Sequence, residues 1–168
     1  QLREPLDFYA VTDHGFFMGM IESYADTTSQ ISKKDFAKPF HNLNADVPSN
    51  TSDENLDTFP ARTALFSDVV ASTINMPYFD LHPKVMAAYL TSNIQLALKS
   101  FDYKAHKSAW ADMARAAEEH NDPGNFTTFL AYEYTTSTDT EGGNLHRNVI
   151  FEGSKRPLRP FTRIDSLN

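Results

Sequence analysis

The run Leu6-Asp7-Phe8-Tyr9-Ala10-Val11-Thr12-Asp13-His14-Gly15 constrains the fold more than any other stretch of the chain. Phe8 to Val11 is apolar without alternation, which predicts a β-strand over residues 6–12 covered on both faces, as in a parallel sheet or barrel. Such a strand places Asp13 and His14 at its C-terminal end. That is the rim where α/β folds concentrate binding and catalytic groups.

The rest of the sequence limits what that rim can be. A chain of 168 residues, 40% hydrophobic and 12% aromatic, is long enough for one domain with a core of its own, so residues 1–168 read as a single domain. The formal charge of -7 argues against a nucleic acid or an anionic membrane surface as partner, since both call for a surplus of Lys and Arg. Without cysteine there are neither disulfides nor thiolate metal sites, and any metal must be held by His, Asp or Glu. No stretch approaches the length of an apolar membrane span, and the first residues carry no signal-peptide pattern; the chain reads as soluble.

After the first strand, residues 15–24 are apolar and Met-rich and predict a short helix or loop. Residues 26–60 are dominated by Ser, Thr, Asn and Asp, with Pro39, Pro48 and Pro60, and read as an irregular surface insertion or lid. Residues 61–74 fit a helix. Asp80 and Pro83 supply a start for an amphipathic helix carrying Val85, Met86, Tyr89, Leu90, Ile94, Ala97, Leu98 and Phe101. A second amphipathic helix shows Trp110, Met113, Ala114 and Ala117 on one face and stops at His120-Asn121-Asp122-Pro123-Gly124. Residues 126–134 and 145–151 then read as strands. Because no crossover helix fits between them, they are expected to be antiparallel neighbours, a pair spanning about residues 127–151.

That pairing puts Glu133, near the end of one strand, beside His146, at the start of the other. With Asp13 and His14, three strand ends deliver two imidazoles and two carboxylates to one rim. Such a nitrogen and oxygen set suits Zn²⁺, Mn²⁺ or Fe²⁺, and a carboxylate can bridge two such ions and so present them to a phosphate or similar oxyanion. Each residue alone has an ordinary structural use: Asp-His as a turn and helix cap, Glu133 as a rim carboxylate, His146 as a satisfied structural histidine. The other histidines, His41, His82, His106 and His120, fall in polar loop or helical settings and read as solvated.

Three segments, Arg3-Glu4-Pro5 through Gly15, Asn121-Asp122-Pro123-Gly124 through Thr135, and Asn144 through Gly153, resemble the DUF3604 family, whose members are similar to the PHP (polymerase and histidinol phosphatase) metal-dependent phosphoesterases. The resemblance implies a partial PHP-like distorted β/α barrel, an incomplete form of a seven-stranded barrel holding two or three divalent ions. It implies His14 and His146 as metal ligands, Glu133 as the bridging carboxylate, and Asp13 as a group that orients a ligand or shuttles a proton. The chain departs from the PHP pattern in two places: no His-x-His pair occurs anywhere, and no Asp-x-His follows His146. The chain is therefore expected to be an internal fragment, with an exposed barrel edge through which copies could associate. Two functions are carried forward. The first is a metal-dependent hydrolase of small phosphate esters or similar oxyanions, an activity belonging to the full-length parent, whose export is left open. The second is a non-catalytic binding or assembly module that keeps a remnant of the metal site.

Overall fold

The computed structural model describes residues 4–41, 98–137, 144–162, 164 and 165. In chain order these form strand β1 (Phe8–Ala10), helix α1 (Met20–Ala25), two 3₁₀ turns (Ile31–Lys33 and Asp35–Phe40), helix α2 (Tyr103–Glu119), and strands β2 (Thr127–Phe129), β3 (Ala131–Ser137) and β4 (Asn144–Ile150). The helix expected at residues 61–74 lies outside the described residues, as do the expected helix of Val85 to Phe101 up to residue 97 and the expected insertion of residues 26–60 from residue 42 onward; residues 98–100 are helical.

Helix α2 forms where the sequence periodicity placed it. Asp102 caps it, its carboxylate accepting from the backbone N–H of Lys104 and Ala105, so two of the helix's unpaired donors are satisfied. His106, Trp110 and Ala114 recur every four residues along one buried stripe. Trp110 and Ala114 pack on Leu130 and Tyr132, with Met113, Ala117, Val149 and Phe151 at the margin. This cluster fastens α2 to the sheet.

The strand expected over residues 126–134 is two strands that part company at Leu130. β2 pairs with β1 in parallel, Phe8 opposite Thr127 and Ala10 opposite Phe129. β3 pairs with β4 in antiparallel register, Glu133 opposite Asn148 and Thr135 opposite His146. At the break the Leu130 carbonyl turns toward β4 and accepts from the Phe151 N–H. The expected antiparallel pair is present, and the content is mixed helix and strand. No closed barrel forms among the described residues.

β1 is shorter and barer than its composition predicts. The ladder covers only Phe8–Ala10, and Phe8 and Tyr9 are exposed at 66% and 52%. Leu6 and Val11 are exposed as well. The expectation of a strand covered on both faces fails at these residues: β1 is paired along one edge with β2, and its Phe8 and Tyr9 side chains stay exposed. An unbroken apolar run records that a surface suits burial, without saying what buries it.

Residues 26–41, expected to begin a surface excursion, in part join the core. Ala37 and Phe40 pack with Met20, Tyr24 and Ile164 in a second apolar cluster, and His41 donates Nε2–H to the Ser32 carbonyl rather than standing in solvent. Gly19 makes the approach of α1 to α2 feasible: its φ is +75°, and a Cβ there would come within 2.8 Å of the Ala105 carbonyl oxygen. Downstream, Asp165 accepts from Arg159 and from the Thr162 backbone and hydroxyl, closing a tight loop.

Tyr24, fully buried in that second cluster, donates its hydroxyl to the Ser100 carbonyl. Burial pushes its pKa up to about 12, against the opposing pull of the Ser100 side chain. Because the folded value is raised, its contribution to stability is complete below the unfolded tyrosine pKa of about 10 and is lost as pH rises through the folded one. Urea midpoints followed upward from about pH 9 should therefore fall off toward pH 12, and Tyr24→Phe should flatten that alkaline limb. An unchanged limb in the phenylalanine variant would show that another group governs it.

Candidate metal centre

The parallel pairing begun by β1 and β2 resumes beyond the break. His14 forms an isolated parallel bridge with Glu133, at the same sequence offset as the β1–β2 ladder. The Glu133 N–H donates to the Asp13 carbonyl at 2.8 Å, and the Gly15 N–H donates to the Glu133 carbonyl at 2.9 Å. One register thus runs from Phe8 to His14. Because paired strands place opposed residues on a common face, His14 and Glu133 share a side of the sheet, and the β3–β4 register adds Thr135 and His146 to it.

The side chains meet there. His146 Nδ1 lies 2.6 Å from Glu133 Oε1, and His14 Nδ1 lies 3.1 Å from Glu133 Oε2, so one carboxylate holds both imidazoles, one on each oxygen. Thr135 Oγ1 sits between the rings, 2.7 Å from His14 Nδ1 and 3.4 Å from His146 Nδ1. A carboxylate only accepts, so the His146 nitrogen bonded to it carries the proton, and Nε2 of a neutral ring is left with its lone pair. The two ring centroids are 5.6 Å apart. The His14 and His146 side chains are nearly half exposed, whereas that of Glu133 is 19% exposed, so the carboxylate forms the floor and the imidazoles the accessible walls.

A divalent cation fits this donor set. His14, Glu133 and His146 each offer one ligand atom, and all three atoms lie within 4.8 Å of one another. Metal bonds of about 2.0–2.2 Å span such a gap after small side-chain shifts, and two imidazoles with a carboxylate are common company for Zn²⁺ and its neighbours.

Asp13 is delivered to the same strand end but not to the cluster. It lines a cavity of about 290 Å³ between β1, β2 and α2, among Tyr9, Val11, Met113, Ala117 and His120. Asp13 meets the site through its backbone carbonyl, which fixes Glu133.

Two residues escaped the sequence reading. Thr135 lies two positions beyond Glu133, and the strand period of two was a sufficient signal for its place on the site's face. His106, read as solvated, is fully buried and bonds Gly15, the residue after His14. Its position four residues before Trp110, on the apolar stripe of α2, was the available clue. His120 is exposed as expected, and His82 lies outside the described residues.

Among the described residues, no helix is long and apolar enough to cross a membrane. No curated protein and no solved structure matches the chain. A family model described as "Protein of unknown function (DUF3604)" matches residues 1–168, and the chain therefore belongs to the DUF3604 family.

Proposed function

We propose that this chain carries the metal-binding rim of a PHP-like, metal-dependent hydrolase acting on phosphate esters or similar small oxyanions. The observation that carries the reading is the convergence of His14, Glu133 and His146 from three strands onto one accessible spot. A divalent ion bound there would supply Lewis acidity and lower the pKa of a nearby water. The chain's own residues do the rest. His14 and His146 would hold Zn²⁺, Mn²⁺ or Fe²⁺ through imidazole nitrogen. Glu133, already spread over two partners, has the reach to bridge two ions. Thr135 holds the rings in place, and the Asp13 carbonyl orients the Glu133 backbone. A complete barrel of the kind the family resemblance implies would place further ligands around this rim.

The alternative is a binding or assembly module that retains the remnant of a metal site, and the shortness of the ligand set favours it: the described residues bring together three donors. One experiment separates the two. Bound transition metal and p-nitrophenyl phosphate turnover are measured for this chain and for a form extended at both ends, with and without EDTA. The hydrolase reading expects metal uptake and EDTA-sensitive turnover in the extended form. A metal-loaded extended protein without turnover would leave the binding module standing, and absence of metal from both forms would remove the hydrolase reading.

A further inference from the structure

We infer that His106 is a positioning residue for this centre: from helix α2 it fastens the backbone at Gly15 and so holds the His14 imidazole against Glu133. The inference rests on the metal reading of the cluster. His106 is 0% exposed, and its Nε2 lies 2.6 Å from the Gly15 carbonyl oxygen, ninety-one positions away in sequence. A carbonyl only accepts, so Nε2 carries the hydrogen and Nδ1 the lone pair. That Nδ1 is buried and has no hydrogen-bond partner among the described residues. Burial also holds the imidazole below its ordinary pKa, in keeping with a neutral ring.

On packing grounds alone this is a poor place for a histidine. The neighbouring Phe101 ring is 5.0 Å away, the stripe continues into Trp110, and an unmet buried acceptor destabilises a fold. A leucine would fill the space without that penalty. What leucine cannot supply is the N–H directed at Gly15. Gly15 is held from both sides, its N–H by the Glu133 carbonyl and its C=O by His106. It also lies flush against the Tyr132 ring, where a Cβ would come within 2.8 Å of Cδ2. The His14 side chain is nearly half exposed, so little packing from the solvent side restrains it. Thr135 and Glu133 bond the ring itself, and the backbone that His106 secures brings it within their reach.

His106→Leu and His106→Gln form the test, because glutamine keeps an N–H donor and leucine does not. Two quantities are read: hydrogen exchange at the Gly15 amide, and the dissociation constant for Co²⁺ from its visible absorption. Leucine should cost Gly15 at least about tenfold in protection and weaken Co²⁺ by about 10- to 100-fold, while glutamine stays within about threefold of the parent in both. Amides of α1 are the control for global loosening and should exchange alike in both variants. If the leucine variant fails to fold, His106→Asn, whose amide falls short of Gly15, replaces it with the same expectations. Unchanged Co²⁺ affinity without the donor overturns the inference, and so does a glutamine variant as weak as leucine. A parent chain that takes up no Co²⁺ overturns the metal reading of the cluster instead, and Gly15 exchange alone then decides whether the clamp exists.

Discussion

Glu133→Ala is expected to abolish metal uptake while leaving the fold nearly intact. Glu133 is the charged group that touches both imidazoles, through separate oxygens at 2.6 and 3.1 Å. Its removal takes away a ligand, the charge that compensates a cation, and the device that keeps the rings facing one another. Loss of an outer partner alone typically weakens a metal site by about 10- to 100-fold, so loss of a ligand that is also the orienting group should reach or exceed the upper figure. The cost in stability should stay within about 1 kcal/mol, because His14 and His146 are nearly half exposed and water can replace the carboxylate as partner. Glu133→Gln should fall between, since its single amide oxygen can serve one imidazole and no longer two. Isothermal titration with Zn²⁺ or Mn²⁺, beside urea unfolding of the same samples, checks both halves. Equal metal content in the alanine variant and the parent would end the bridging role.

Trp110→Ala is expected to be the most damaging single change to the fold, costing about 3–5 kcal/mol. Trp110 is 1% exposed and lies edge-on to Tyr132, with ring centroids 5.7 Å apart, and 5.9 Å from the Phe151 ring. Its indole N–H donates to the Pro157 carbonyl at 2.9 Å. Truncation would therefore open a cavity between α2 and the β3–β4 pair and strand a carbonyl. Against a total stability of about 5–15 kcal/mol for an ordinary domain, that loss is a large share. It should also reach the metal site, because Tyr132 precedes Glu133 in β3 and packs on Gly15. Far-UV circular dichroism in urea is the suitable measurement, since the chain contains no other tryptophan to report by fluorescence. A loss below about 1 kcal/mol would mean that neighbouring rings refill the space, and that α2 is held mainly elsewhere.

Much of this was legible in the residues because it is local. The Trp110, Met113, Ala114, Ala117 stripe and the stop at His120 to Gly124 identify α2 from spacing alone, and the polar stretch after Tyr134, too short for a crossover, identifies β3 and β4 as antiparallel neighbours. The period of a strand assigns Glu133 and His146 to sets that can share a face. The misreadings follow from the same locality. Phe8 and Tyr9 suit a buried strand, yet their exposure depends on which elements lie beside β1. Ala37 and Phe40 stand in a polar stretch whose composition hides that they meet Tyr24 and Ile164. His106 reads as a polar helical residue until α2 is docked, when its face turns inward toward Gly15.

By itself the sequence determined the kinds of element, their order, and the chemical types available to a metal: imidazoles and carboxylates without thiolates. Those are properties of a few neighbouring residues and their spacing. Only the tertiary structure decided that one carboxylate would hold two rings, that Asp13 would face a cavity on the other side of its strand, and that a hydroxyl from Thr135 would stand between the histidines. His14 and Thr135 are 121 positions apart, and their contact depends on the registers of two different strand pairings and on the break at Leu130. Register is set by the sum of many weak packing and hydrogen-bonding terms across the sheet, and a slip of one residue would send each of these side chains to the opposite face.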